Sequence, residues 1–240
     1  MMVTYAPRQL SLGVSLNDDA TFDNFYAPAS QHHNALVVDG LRRQVEGKAE
    51  AFVYLWGAPG AGLTHLLQAS CHYAQTLGQS IQYLPLRDMA GYAPAELFVG
   101  LEALDLVCLD CLTSIAGRGD WELAIFNLYN ALRDGGKKLL VAAEQSPREL
   151  PLQLEDLRSR LQWGVTYQVH SLSDEDKQQA LQKRARARGL ELNDEVAQFI
   201  IQRLPRDTNE LFCQLQRLDQ ASLAEQRKLT IPFVKKVLSL

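Results

Sequence analysis

The chain has 240 residues and a formal net charge of −4, with 47% hydrophobic and 22% charged residues. This composition supplies a packed core for one large domain, or for a large domain with a small one. The acidic balance disfavours a protein that binds DNA over a broad surface, and no apolar run is long enough to predict a membrane span. Four cysteines without an evident disulfide framework indicate a reducing compartment, so we expect a cytoplasmic protein.

Residues 1–20 lack a hydrophobic period and are predicted to form a mobile tail. Within it, two leucines flank a serine behind a glutamine: Gln9, Leu10, Ser11 and Leu12. A segment this short cannot bury its own apolar side chains. It is therefore either an unstructured tail or a peptide that binds a partner, and composition alone favours the tail.

The next stretch alternates short apolar runs with helical patterns. Strands are predicted at Phe52–Leu55, Ile81–Leu86, Leu104–Leu109, Lys138–Ala143 and Val165–Val169. Helices are predicted at 31–47, 64–77, 94–101 and 121–132. The alternation predicts an α/β fold, with a five-stranded parallel sheet that helices cover on both faces.

After Ser171 only helical patterns follow. Candidate helix starts are Ser173, Asn193, the capping pair Asp207 and Glu210, and Thr230. We therefore expect residues 171–240 to form a small all-α domain.

Residues 57–64 lie between the first predicted strand and a helix, and they fit the motif G-x-x-x-x-G-K-[ST] at every position but one. In such a loop, successive backbone N–H groups cradle phosphate oxygens at a helix N-terminus. The predicted phosphate-binding residues are Gly57, Ala58, Pro59, Gly60, Ala61, Gly62, Leu63 and Thr64. Because Leu63 replaces the lysine that contacts the β- and γ-phosphates, the pattern indicates a cradle without its catalytic cation. The alternative is an ordinary glycine-rich turn.

Asp110 ends the third predicted strand after four apolar residues, which is the Walker B pattern. With Thr64, it would supply the oxygen ligands of a Mg²⁺ ion. Cys111 occupies the position where a second acidic residue orients the attacking water in nucleotide hydrolases of this layout. The pair Cys108 and Cys111 has C-x-x-C spacing, a weak indication of zinc or redox chemistry, and Cys108 is more simply a small buried hydrophobe. Glu144, after the fourth strand, belongs either to a phosphate sensor or to a surface loop.

Two basic segments remain. Segment 159–164 is predicted to be a loop between a short helix and the fifth strand; Arg160 lies in this loop and Arg158 just before it. Each is a candidate arginine finger, a cation inserted into a neighbour's site, although spacing alone favours a solvated surface arginine. The run from Lys183 to Arg188 is interpreted as a charged helix face in preference to a DNA contact.

These features together resemble the AAA+ domains of the DnaA family of bacterial replication proteins, and most of all the Hda group of DnaA-related regulators. The resemblance covers about residues 20–240 and rests on segments 21–25, 57–64, 106–110 and 159–164 and on the helical end. The segment Gln9–Leu12 is similar to a sliding-clamp-binding peptide.

The resemblance implies an AAA+ domain at 21–170 and a helical lid at 171–240, with nucleotide bound between them. Phe25 would contact the nucleotide. The lid arginine known as sensor 2 aligns with Asn209, and Arg206 would lie close enough to replace it. A nucleoside diphosphate, with ADP as the first candidate, would bind with or without Mg²⁺.

By the same resemblance, the protein would be a negative regulator of replication initiation. It would dock on the DNA polymerase III sliding clamp (the beta subunit), meet DNA mainly through that clamp, and promote hydrolysis of DnaA-bound ATP in trans through Arg160. A homo-oligomer without membrane contact is implied. The main alternative is a DnaA-like ATPase or loader factor, which Leu63 and Cys111 disfavour. Another alternative is a scaffold that binds no nucleotide.

Overall fold

The computed structural model describes residues 16–28, 32–204 and 208–240, without the side chain of Asn209. Several predicted features therefore lie outside the described residues. They are Gln9, Leu10, Ser11 and Leu12 in the tail, Arg206 and the Asn209 side chain in the lid, and Asp207 of the predicted capping pair.

A five-stranded sheet forms the centre of the fold, and all of its strand pairs are parallel. The strands are β1 (Phe52–Trp56), β2 (Ile81–Pro85), β3 (Leu106–Asp110), β4 (Lys138–Ala143) and β5 (Val165–Gln168), in the order β2-β3-β4-β1-β5. The predicted parallel sheet is confirmed. The third strand begins two residues later than predicted, because the Asp105 carboxylate binds Ser80 and Lys137 at the edge of the sheet.

Helices cover both faces of this sheet, as predicted. They are α1 (His32–Val45), α2 (Leu63–Thr76), α3 (Leu86–Met89), α4 (Pro94–Leu97), α5 (Gly119–Asp134) and α6 (Glu155–Trp163). Helices α1 and α2 bury Leu41 and Leu66 in one apolar cluster, whereas α5 and α6 bury Trp121 and Leu157 in the other. The first turn of α2 and the end of β3 consequently meet at the carboxyl edge of the sheet.

The C-terminal helices pack around an apolar cluster of their own. They are α7 (Asp174–Ala187), α8 (Asp194–Arg203), α9 (Thr208–Glu225) and α10 (Ile231–Leu238). The side chains of Ser173, Asn193 and Thr230 accept hydrogen bonds from backbone N–H groups in the first turns of α7, α8 and α10, as predicted. None of the helices in the described part of the chain is long and apolar enough to cross a membrane.

Residues 16–20 are packed, although the sequence analysis assigns them to the mobile tail. Ala20 is buried, and Leu16 packs against the cluster under α1 and α2. Asn17 receives a hydrogen bond on its carbonyl from His72 and donates its N–H to Gln68, both on α2. The prediction of a tail that extends to residue 20 is therefore wrong for its last part.

The segment around Arg160 also differs from its prediction as a loop, because Arg160 lies in the second half of helix α6. Buried Leu157 and Leu161, four residues apart, fix one face of this helix to the core. Gly164 ends it where a Cβ atom would collide with the backbone oxygen of Phe52, so only glycine allows the chain to enter β5 at this point.

Glu122 on α5 is a fully buried carboxylate with three backbone donors. Its Oε1 accepts from the Gly117 N–H at 2.7 Å, and its Oε2 accepts from Gln153 at 2.9 Å and from Leu154 at 2.7 Å. These bonds compensate the burial of the charge and hold the segment before α6 against α5.

We predict that Glu122→Ala lowers the free energy of unfolding by about 3–5 kcal/mol, because three buried donors lose a charged acceptor. Glu122→Gln keeps the side-chain volume, but its amide NH2 group would face one of the backbone N–H donors. This change should therefore lower the free energy of unfolding by more than about 1 kcal/mol. Urea unfolding measures both. Asp120→Asn, an exposed change in the same turn, is the control and should stay within about 0.5 kcal/mol of the parent. Equal stability of Glu122→Gln and the parent protein would contradict this account.

Candidate nucleotide-binding site

The glycine-rich loop connects β1 to α2, as the motif requires. Gly60 and Gly62 adopt φ values of 78° and 99°, in the left-handed region that favours glycine. A Cβ atom on Gly57 would collide with the Val169 backbone oxygen, and one on Gly62 would lie 2.8 Å from the ring of Phe25. The loop therefore approaches its surroundings closely and ends at the N-terminus of α2, where backbone N–H groups favour an anion.

Thr64 and Asp110 come together at the carboxyl edge of the sheet. The Thr64 hydroxyl donates to Asp110 Oδ2 at 2.7 Å, and the Tyr83 hydroxyl donates to the same oxygen at 2.7 Å. The Cys111 N–H donates to Asp110 Oδ1 at 2.8 Å. Burial, and then the Asp110 charge, raise the pKa of Tyr83, so Tyr83 remains a donor. Sequence analysis did not identify Tyr83, because an aromatic residue in an apolar strand predicts only core packing.

Thr64 and Asp110 fit a Mg²⁺ ion that is held jointly by protein and phosphate oxygens. Both present hard oxygen donors beside the loop, although Tyr83 already occupies one acceptor position of the carboxylate. Within the described ranges, no group of three or more His, Cys, Asp or Glu side chains could hold a metal ion. The side chains alone therefore form no metal cage, and phosphate and water would have to complete the coordination.

Leu63 and Cys111, the two departures from the motif, have clear structural roles. Leu63 packs partly buried against the apolar cluster under α2, so it contributes to the core and has no charge to offer a phosphate. Burial, followed by the neighbouring Asp110 charge, raises the pKa of Cys111 to about 11. At neutral pH it is a thiol, which cannot accept a proton from water as a carboxylate does.

Cys108 does not form a site with Cys111. Cys108 is fully buried in β3, where its sulfur accepts a weak hydrogen bond from Cys71 at 3.5 Å. Burial raises the pKa of Cys108 above that of a free thiol. The interpretation of Cys108 as a small buried hydrophobe therefore holds.

A cavity of about 150 Å³ lies between the loop and the strand ends. Thr64, Asp110 and Cys111 line it, together with Arg87 and Glu144, which form an ion pair at 3.1 Å. Glu144, which the sequence assigns either to a phosphate sensor or to a surface loop, thus lines the cavity and is paired with Arg87. Sequence analysis did not identify Arg87, since the arginine follows β2 in a helix too short to show a period.

A larger cavity, of about 240 Å³, lies between the loop, residues 17–26 and the C-terminal helices. Phe25 and His65 form part of its wall, with their ring centroids 5.6 Å apart. His65 Nε2 donates to the Thr21 carbonyl at 2.8 Å. Burial lowers the pKa of His65 to about 4, so the imidazole is neutral at pH 7. Aromatic and neutral polar groups beside a phosphate cradle suit the base and ribose of a nucleotide.

The basic run on α7 is only partly the solvated face that the sequence predicts. Arg186 is exposed, but Lys183 donates to the Asp23 carbonyl at 3.0 Å and Arg188 forms ion pairs with Asp19 and Asp219. Arg184 is 8% exposed and lines the larger cavity. The prediction is wrong for Arg184, because its burial depends on how α7 packs against residues 16–28 and α9.

The two finger candidates have different surroundings. The Arg158 guanidinium donates to the carbonyls of Leu150 at 2.9 Å and Leu152 at 2.6 Å, so it holds the segment before α6. Arg160 has no hydrogen bond or ion pair among the described residues. Its guanidinium carbon lies 4.5 Å from the ring centroid of Trp163, which is 68% exposed. Arg160 is therefore available to a partner, whereas Arg158 is engaged in the fold.

Two family models match this chain. The model of the bacterial DnaA ATPase domain matches residues 16–168, and the model of the Hda lid domain matches residues 174–238. The boundary between the matches falls between β5 and α7, where the sheet gives way to the C-terminal helices.

Solved structures show the same fold. Domain III of Thermotoga maritima DnaA has a TM-score of 0.76 and 20% identity, with 94% of this chain and 98% of that chain covered. A replication initiator DnaA bound to AMPPCP and single-stranded DNA has a TM-score of 0.70 and 22% identity, over 88% and 69%. The Thermotoga maritima RuvB branch migration motor has a TM-score of 0.66 and 16% identity, over 92% and 71%.

Identities this low establish the fold alone, but the family model extends over more than half of the sequence. The chain therefore belongs to the bacterial DnaA ATPase-domain family, as a DnaA-related AAA+ replication regulator with an Hda-type lid.

Proposed function

We propose that this protein is a negative regulator of replication initiation that promotes hydrolysis of DnaA-bound ATP in trans. In this proposal it holds a nucleoside diphosphate, with ADP as the reference ligand, and is attached to the sliding clamp by its tail. Its partners are DnaA, the clamp with DNA threaded through it, and a second copy of the chain.

The position of Arg160 is the observation on which the proposal rests. Arg160 lies over Tyr129 at 5.9 Å, and Tyr129 stacks on Phe52, the first residue of β1, at 4.3 Å. The phosphate loop follows Trp56 at the other end of β1, which is about 13 Å away at 3.3 Å per residue. Arg160 is therefore at the opposite edge of the sheet from the loop of its own chain. An unpaired arginine there would act on the site of a neighbouring molecule.

The chain's own site supports binding more than turnover. Thr64 and Asp110 retain the contact on which phosphate and Mg²⁺ binding would depend. Leu63 and the Cys111 thiol lack the cation and the base that hydrolysis requires. One solved structure with this fold is a DnaA bound to AMPPCP, which supports the proposal that this chain binds a nucleotide.

A working ATPase or loader factor is the second candidate, favoured by the intact contact between Thr64 and Asp110. The two candidates differ in turnover by the purified protein. The regulator should bind nucleotide and release it unchanged, whereas the ATPase should hydrolyse it repeatedly.

We expect steady-state ATP hydrolysis by the purified protein to fall far below about 1 s⁻¹. Leu63→Lys should tighten ATP binding about tenfold or more through a charged contact. It should not produce turnover, because Cys111 still provides no base. Phosphate release and calorimetric titration measure the two quantities, with Leu63→Met as the uncharged control. Turnover near 1 s⁻¹ in the parent protein would favour the ATPase.

The tail should anchor the protein to the clamp through Gln9, Leu10 and Leu12. Burial of both leucines contributes about 3–6 kcal/mol before the cost of ordering the peptide, so the double change Leu10→Ala and Leu12→Ala should abolish measurable clamp binding. Surface plasmon resonance on immobilised clamp tests this. Val3→Ala, in the same tail but outside the motif, is the matched control. Equal clamp affinity of the double variant and the parent would exclude the motif as the anchor.

Arg160→Ala should lower clamp-dependent stimulation of DnaA ATP hydrolysis by roughly 10²-fold or more, since a finger acts on charge that develops in the transition state. Nucleotide binding, clamp binding and stability should be unchanged, because the side chain makes no hydrogen bond in the described structure. Arg160→Lys should restore only part of the activity, because an ammonium lacks the planar fork.

Arg186→Ala removes an exposed arginine elsewhere and serves as the control for charge. Arg158→Ala should lower the thermal unfolding midpoint, because it frees the carbonyls of Leu150 and Leu152. Full stimulation by Arg160→Ala would exclude Arg160 as the finger.

A further inference from the structure

Three cations of α7 lie near the larger cavity but have different partners. Lys183 and Arg188 hold α7 against residues 19–23, through the Asp23 carbonyl and the Asp19 carboxylate. Arg184 lies one turn before Arg188 on the same face and forms neither kind of contact with residues 16–28, 32–204 or 208–240. Residues 19–23 thus provide acceptors for Lys183 and Arg188 but none for Arg184.

Arg184 is 8% exposed, and the described residues give its guanidinium no hydrogen bond or ion pair. One face is covered by Phe212, whose ring centroid lies 4.3 Å from the guanidinium carbon. Its Nε is buried, and the part of the chain that the structure describes provides no hydrogen-bond partner for it. Burial lowers the pKa of Arg184 from its ordinary value, yet a guanidinium stays protonated at neutral pH. A buried unpaired cation opposes folding, so a ligand that supplies an acceptor would relieve this penalty.

The location of Arg184 identifies the part of the ligand that it faces. The two cavities share Gly60, Gly62 and Thr64, so the loop lies between them. Asp110 lines only the smaller cavity, whereas Arg184 lines only the larger one, with Phe25 on the same wall. If the phosphates of a nucleotide bind the loop on the side of Asp110, its base lies in the larger cavity. Phe25, Phe212 and the Arg184 guanidinium line that cavity.

We propose that Arg184 donates hydrogen bonds to acceptor atoms of the nucleotide base, and so gives the ligand a charged contact from the lid, away from the phosphates. The proposal rests on the nucleotide binding inferred above. A guanidinium has donors only, so the base must present ring nitrogen or carbonyl oxygen toward α7, and an amino group there is disfavoured.

The test compares Arg184→Gln with the parent protein by calorimetric titration with AMP and with ADP. We expect affinity for both nucleotides to fall by the same factor, about tenfold or more, since a charged hydrogen bond is lost at the base. The affinity of Arg184→Lys should lie between those of the parent and Arg184→Gln, because lysine keeps the charge but lacks the planar guanidinium. Arg186→Gln makes the same charge change on an exposed arginine of the same helix and should bind like the parent.

Thermal unfolding separates this role from a structural one. Without nucleotide, Arg184→Gln should be as stable as the parent or more stable, because a buried unpaired charge is removed. With ADP, the variant should show a smaller rise in its unfolding midpoint than the parent.

Equal ADP affinity of Arg184→Gln and the parent would overturn the inference while leaving nucleotide binding intact. A loss much larger for ADP than for AMP would place the contact on the phosphates and overturn the assignment to the base. A parent protein that binds neither nucleotide at millimolar concentration would refute the proposed ligand itself, and this inference with it.

Discussion

The hydrogen bond between Thr64 and Asp110 depends on the parallel direction of β1 and β3. Thr64 lies in α2, which follows β1, and Asp110 lies 46 positions later in β3. In the sheet, β4 lies between β1 and β3. Thr64 and Asp110 meet because every parallel strand ends at the same edge of the sheet, where α2 also begins. Tyr83 on β2 joins the same carboxylate, so three elements converge on one buried oxygen. The geometry of a nucleotide site is therefore present, although Leu63 and Cys111 occupy the positions of the lysine and the second acidic residue.

The departures from the motif and the position of Arg160 involve opposite edges of one sheet. At its carboxyl edge, a leucine and a thiol replace the lysine and the acid that would act on the chain's own ligand. At its amino edge, the Arg160 guanidinium packs against the rings of Tyr129 and Trp163, far from the chain's own phosphate loop. Under the proposed function, an AAA+ domain arranged in this way would complete a neighbour's site and would not hydrolyse its own nucleotide.

Much of the fold and the phosphate loop could be predicted because they depend on local sequence patterns. Apolar runs, capping residues and the spacing of the glycines predict the strands, the helix starts and the loop between β1 and α2. Arg184 could not be predicted in this way, because a run of alternating basic residues is typical of a solvated helix, and its burial depends on packing against distant segments. For a related reason, the short helix before β5 continues through Arg160 and does not end before residue 159 as predicted. Its length depends on Leu157 and Leu161 both reaching the core.

Residues 16–20 have a consequence for how the tail is connected to the rest of the molecule. They hydrogen-bond to α2 through Asn17, and the Asp19 carboxylate pairs with Arg188 on the lid. Asn17 and Asp19 also line the larger cavity. Under the proposed function, a pull on the tail by the clamp would therefore reach α2, the lid and the wall of the larger cavity through these residues. The attachment proposed for the tail and the enclosure of the larger cavity would then depend on the same few residues.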